Sequence, residues 1–170
     1  MADTLRYPTI LFDWGDTVMR DDPASMIPMV EWETVEIIEG IDGVLTYLQA
    51  SGRRMVLATS ASISDEGQIR RALARGGLDI YFSHIYCFKN TNLSKGEEFY
   101  RHILKDLGRS ASEALMVGDG FEKDVLAANA MGMYAVWFNA RSQELRTNDF
   151  HITVHAMEDL LVFFQSLDAR

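Results

Sequence analysis

Short runs of β-prone apolar residues alternate with stretches of helical spacing along most of this chain, and that alternation constrains its fold more than any other feature. The runs are Thr9-Ile10-Leu11-Phe12, Met55-Val56-Leu57-Ala58, Ile85-Tyr86-Cys87-Phe88 with Tyr81-Phe82 beside it, Ala114-Leu115-Met116-Val117, and Tyr134-Ala135-Val136-Trp137-Phe138. A short apolar run bounded by turn signals reads as a strand buried on both faces, as in a parallel sheet. Between the runs lie apolar stripes at helical spacing that end at glycine. Ile41, Val44, Leu45 and Leu48 stop at Gly52; Ile69, Ala72 and Leu73 stop at Gly76-Gly77; Phe99, Ile103 and Leu107 stop at Gly108; a helix from about Glu122 to Met131 stops at Gly132. The pattern predicts an α/β fold with helices on both faces of a parallel sheet.

Several finer expectations follow the same rules. Ser62 with Asp65, and Ser94 with Glu97, resemble capping boxes that open the second and third helices. Helical spacing at Val30, Thr34, Val35 and Ile38 predicts a helical stretch there. His151-Ile152-Thr153-Val154 suits a short sixth strand, and Ala156 to Leu167 a terminal helix.

A chain of 170 residues, 48% apolar and 24% charged, suits one domain spanning residues 1–170. The net charge of -9 argues against nucleic-acid or anionic-membrane partners. No apolar run is long enough to cross a bilayer. Residues 1–8 lack the regions of a signal peptide, and Cys87 alone makes no intrachain disulfide, so a reducing cytoplasm is expected.

The chemistry concentrates where the strands end. Asp13, Thr59 and Asp119 follow three of the apolar runs, while Lys95 and Asp124 lie at helix starts. A parallel sheet gathers its strand C-termini on one edge, so these distant residues are expected to converge. Carboxylates with one lysine and one hydroxyl suit a divalent cation plus a phosphoryl group, since magnesium takes hard oxygen ligands. Lys95 near a helix N-terminus opposes the helix dipole, a departure that points to function.

With those residues in view, the sequence resembles the haloacid dehalogenase-like (HAD) superfamily. Its first motif, an apolar strand then Asp-x-Asp-x-Thr, reads here Asp13-Trp14-Gly15-Asp16-Thr17. The second is matched by Thr59, the third by Lys95, and the fourth by Gly118, Asp119 and Asp124. The resemblance implies a Rossmann-like three-layer sandwich with a mainly parallel sheet of order 5-4-1-2-3. It further implies a magnesium-dependent phosphatase in which Asp13 is the nucleophile and forms an aspartyl-phosphate. Magnesium would be held by Asp13, the Gly15 carbonyl and Asp119, with Asp124 supporting the metal or Lys95. Thr59, Ser60 and Lys95 would bind phosphoryl oxygens of a small phosphorylated substrate.

Two departures from the family matter. The position that usually carries an acid/base aspartate is Gly15, which has no proton to give. Losing such help costs about 10²–10⁴-fold in rate. A slow phosphatase is therefore expected, or a catalytically weak phosphate- or metal-binding or regulatory module. Glu122 and Asp21 are the candidates to replace the missing acid, and Gly15→Asp is expected to raise turnover. The chain also has no room for a cap domain. It is expected to carry a short flap at about 19–28 and an open site, or one closed by a second copy of the chain. Specificity would fall to Trp14, Arg20, Ser60, Asn90 and Phe121.

Overall fold

The structure is a computed structural model and describes residues 4–170. Six strands form one sheet: β1 (Thr9–Phe12), β2 (Arg54–Ala58), β3 (Phe82–Tyr86), β4 (Ala114–Gly118), β5 (Tyr134–Phe138) and β6 (His151–Val154). Their order is β3-β2-β1-β4-β5-β6, and every pairing is parallel. Read from the other edge, this is the expected 5-4-1-2-3 order with β6 added outside β5, and the sheet is parallel throughout.

Alternation along the strands divides the core into two layers. Ile10 and Phe12 of β1, Met55 and Leu57 of β2, and Leu115 and Val117 of β4 face one side. There they pack with α1 (Ile41–Ala50), α2 (Glu66–Arg75) and α6 (Met157–Asp168). Leu11, Val56, Ala58 and Met116 face the other side, against Phe99, Tyr100 and Ile103 of α4 (Glu97–Leu107) and Ala128 of α5 (Ala127–Ala130). The short α3 (Phe88–Thr91) follows β3. Among the described residues no helix is long and apolar enough to cross a membrane.

Register positions the site. Phe12 lies opposite Leu57 of β2 and Val117 of β4, so the next residue of each strand emerges at the same rim. β1 is also where the chain's connections diverge to the two halves of the sheet, the place where such folds form a crevice.

Some local expectations are corrected. The segment around Val30–Ile38 holds only a 3₁₀ turn at Met29–Glu31. Tertiary contacts claim its backbone instead: Arg20 N–H donates to Glu36 O at 2.9 Å and Ile38 N–H to Val18 O at 2.9 Å. Arg75 donates to the carbonyls of Val30, Trp32 and Glu33. The excursion between Arg20 and Glu36 is therefore a strap tied to α2, longer than the flap expected at 19–28. The second helix is capped by Asp65 with Gln68, not by Ser62 with Asp65. The helix after Lys95 begins from Gly96 with no side-chain cap, so Ser94 does not cap it. The helix after β4 opens as a π-helical turn, Phe121–Leu126, before α5.

Candidate active site

Asp13 leaves the end of β1 with its N–H donating to Val117 O at 2.9 Å, which fixes the residue against β4. Its carboxylate meets Lys95, whose Nζ donates to Asp13 Oδ1 at 2.8 Å and to Asp124 Oδ1 at 2.7 Å. The lysine side chain is only 2% exposed. Burial pulls its pKa down, but the charges of Asp13 and Asp124 outweigh that and hold it above the ordinary lysine value.

Asp119 and Asp124 come from the turn after β4. Asp124 packs so closely on Gly118 that a Cβ there would lie 2.6 Å from the Asp124 Cβ, so the Gly118 position admits no side chain. Gly120 N–H donates to Asp124 Oδ2 at 2.9 Å. Both Asp124 oxygens are thus engaged, one by Lys95 and one by the Gly120 N–H. Asp119 is positioned through its backbone, where its carbonyl accepts from Trp137 Nε1 at 3.0 Å. Thr17 Oγ1 stands 3.4 Å from both Asp13 Oδ2 and Asp119 Oδ1, and its one proton serves either carboxylate.

Carboxylate oxygens of Asp13, Asp119 and Asp124 all lie within 4.8 Å of one another. Crowding shows in their titration. Burial, then hydrogen bonding to and repulsion from Asp13, push Asp119 up to about 8. Burial and the Asp13 charge push Asp124 to about 6 against the opposing pull of Lys95 and Gly120 N–H. Lys95 alone does not balance three acids. The donors are hard oxygens with charge to spare, and they fit a divalent cation such as magnesium.

A cleft of about 360 Å³ opens over Asp13. Thr59 and Ser60 line one side, and Trp14, Gly15, Asp21 and Asp119 also reach it. Thr59 Oγ1 accepts from Ala61 N–H at 3.1 Å, which leaves its own proton free for a ligand. Among the residues expected to set specificity, Trp14 and Ser60 line this cleft. Arg20 instead pairs with Glu36 at the surface. Asn90 is spent on the Cys87 N–H and the Ile85 carbonyl. Phe121 packs on Trp137 and His151. Glu122 does not line the cleft, whereas Asp21 does.

Gly15 explains the placement of Asp21. A Cβ built on Gly15 would meet Asp21 Oδ2 at 2.9 Å, its Cβ at 3.0 Å and its Cγ at 3.1 Å. The strap carboxylate therefore occupies the space where a side chain at position 15 would begin. Asp16 holds it there. Asp16 itself sits at φ 58°, a region aspartate tolerates. Its Oδ1 accepts the Asp21 N–H at 3.0 Å and its Oδ2 accepts from Arg141 at 2.8 Å. Partial desolvation holds Asp21 above the ordinary carboxylate range; the charges of Asp16, Asp13 and Asp22 add to it and the Asp22 N–H opposes it. Thr17, Trp137 and Arg141 were not among the residues singled out from sequence as site residues; Thr17 alone had a signal, the last letter of the first motif.

The sequence profile of the haloacid dehalogenase-like hydrolases matches residues 25–138. The chain belongs to that family. The matched span holds Thr59, Lys95, Asp119 and Asp124, while Asp13 lies ahead of it and is tied to the family site by the contacts above. This family member is 28% identical over 102 residues to a glyceraldehyde 3-phosphate phosphatase of Pyrococcus abyssi. The match covers 59% of this chain and 42% of that protein, so the chain spans under half of the relative's length. Its fold is similar to that of an uncharacterized protein from Listeria monocytogenes serotype 4b, with a TM-score of 0.79 at 24% identity, covering 95% of this chain and 99% of the other. A magnesium-bound putative HAD-hydrolase of Bacillus subtilis, YfnB, superposes with a TM-score of 0.73 at 15% identity, covering 94% and 99% of the two chains.

Proposed function

We propose that this HAD-family chain is a magnesium-dependent phosphomonoester hydrolase that works through phosphorylation of Asp13. The observation that carries the reading is the Asp13 carboxylate, held by Lys95 from below and facing Asp119 at the floor of an open cleft. The phosphatase relative, which acts on a three-carbon sugar phosphate by its name, supports a small phosphorylated substrate.

Asp13, Asp119 and the Gly15 carbonyl would hold the cation, with Asp124 acting through Lys95. Bound magnesium supplies charge that lets these carboxylates ionise together and offsets the charge of the phosphoryl oxygens. Lys95 has one N–H left to donate to a phosphoryl oxygen, and the Thr59 hydroxyl and Ser60 offer further donors. An Asp13 oxygen attacks phosphorus, and the bond from phosphorus to the alcohol oxygen breaks. Asp21 gives that oxygen its proton from the strap. Water then attacks phosphorus of the aspartyl-phosphate, giving its proton to Asp21; the phosphorus bond to Asp13 breaks and inorganic phosphate leaves. Because Asp21 is carried by a strap rather than by β1, its aim is looser than a residue beside the nucleophile would have, and slow turnover is the expectation. The net charge of -9 disfavours a nucleic-acid partner.

A second reading, a phosphate- or metal-binding module with negligible turnover, is favoured by one observation, the lack of a side chain at Gly15. One experiment separates the two. Hydrolysis of 4-nitrophenyl phosphate is measured with and without magnesium, for the natural chain and Asp13→Asn. Cation-dependent turnover that disappears in the variant supports the hydrolase. Cation binding without turnover in either protein supports the module.

A further inference from the structure

The walls of the cleft above Asp13 carry one sign of charge. Five aspartates line it (Asp13, Asp16, Asp21, Asp22 and Asp119), and no lysine, arginine or histidine does. Asp13 and Asp119 face the phosphoryl group and the cation. Asp16 is paired with Arg141 at 2.8 Å, and the same guanidinium stands 3.9 Å from Asp119 Oδ2, outside the residues that line the cleft. Lys95 lies beneath the floor, engaged with Asp13 and Asp124. What remains for the alcohol portion of a phosphoester is the strap, with Asp21 and Asp22, and the opposite wall, with Ser62 and Ser64. Ile27, Trp32 and Ile63 add apolar surface, and Ile27 is 52% exposed at the rim.

On the strap side, away from Arg141, a carboxylate or second phosphate on the alcohol would meet no lysine, arginine or histidine. It would stand beside the side chains of Asp21 and Asp22. Like-charge juxtaposition is a means of rejecting a ligand, and because Asp22 is exposed at the open cleft the repulsion is sensitive to salt. An uncharged polyol would find serine hydroxyls and carboxylate acceptors instead, and an amino alcohol would gain a charge partner.

Resting on the hydrolase reading above, we propose that the site selects phosphomonoesters whose alcohol carries no negative charge, amino alcohols and polyols, and that Asp22 is the residue that discriminates. Three probes of similar size test it: phosphoethanolamine, glycerol 3-phosphate and phosphoglycolate, each at saturating magnesium. The expected order of kcat/KM is phosphoethanolamine, then glycerol 3-phosphate, then phosphoglycolate at least about tenfold lower. Asp22→Asn keeps the acceptor for the Ala24 N–H, which the Asp22 Oδ1 now receives at 3.0 Å, and so preserves the strap turn. It is expected to narrow the gap at least about threefold, and added salt is expected to narrow it in the natural chain. A phosphoglycolate kcat/KM equal to or above that of glycerol 3-phosphate overturns the proposal, as does a gap unmoved by Asp22→Asn. Binding gives a readout without turnover. Calorimetry of the three probes on Asp13→Asn with magnesium is expected to show the same order in Kd, and the reverse order refutes it. Loss of 4-nitrophenyl phosphate hydrolysis in the natural chain would instead bring down the hydrolase reading and leave the Kd order to decide on charge.

Discussion

The space shared by Gly15 and Asp21 makes a sharp prediction about moving a carboxylate between them. From the first motif alone, Gly15→Asp should supply a missing acid. In the folded chain its Cβ would stand 2.9 to 3.1 Å from three atoms of Asp21, tighter than ordinary van der Waals contact. Overpacking of this kind costs about 1–3 kcal/mol. Gly15→Asp alone is therefore expected to lose about that much stability and to gain no activity, because the strap that bears Asp21 must shift. Asp21→Ala removes the proton donor and is expected to slow an alkyl phosphate by about 10²–10⁴-fold while barely affecting an aryl phosphate with a good leaving group. The double variant removes two of the three close contacts, those with Asp21 Oδ2 and Cγ, leaves the Cβ of residue 21 at 3.0 Å, and places a carboxylate beside the nucleophile. Its stability relative to Asp21→Ala should fall by less than Gly15→Asp falls relative to the natural chain, a coupling of at least about 0.5 kcal/mol between the two sites. Its alkyl-phosphate turnover should exceed that of Asp21→Ala at least about tenfold. Urea unfolding and steady-state kinetics on glycerol 3-phosphate and 4-nitrophenyl phosphate read all four proteins. Additive stabilities, or an Asp21→Ala protein that hydrolyses glycerol 3-phosphate at the natural rate, would refute the reasoning.

Two further outcomes follow from the acidic cluster. Gly118→Ala places a methyl 2.6 Å from the Asp124 Cβ and should drive that carboxylate off Lys95; magnesium-induced thermal stabilisation is expected to shrink sharply, as read by melting with and without the cation. Asp119 and Asp124 titrate near 8 and 6, so cation binding must displace their protons. Magnesium affinity measured by calorimetry should rise by up to about tenfold per pH unit from pH 6 to 8 and level off above 8; a flat profile contradicts the assignment. Without cation the sign reverses. A folded pKa raised above 3.8 means the native state keeps a proton the unfolded chain has lost, so the urea midpoint should fall as pH rises through 8.

Much of this was legible in the sequence because it depends on local pattern. Apolar runs marked the strands, and their parallel arrangement brought Asp13, Thr59, Lys95, Asp119 and Asp124 to one rim. The misreadings arose where tertiary contacts overruled local preference. Helical spacing at Val30–Ile38 yielded to Arg75, which takes three carbonyls of that stretch, and to pairing with Val18 and Arg20. Ser94 looked like a cap, but the backbone there instead delivers Lys95 inward to two buried acids. The true cap of the second helix, Asp65 with Gln68, competes in the sequence with a serine three residues earlier that offers the same chemistry. Asp21 is the instructive case. Its proximity to Gly15 comes from a strap folding back, and no spacing rule reports that.

The most direct measurement is chemical. The protein is mixed with magnesium and a phosphoryl donor, quenched in acid within a turnover, digested, and mapped by mass spectrometry. A phosphoryl group on the peptide bearing Asp13, absent when Asp13 is asparagine, is the predicted result. Turnover that proceeds with no label at Asp13, or with the label on another residue, would contradict the assignment of the nucleophile and the chemistry built on it.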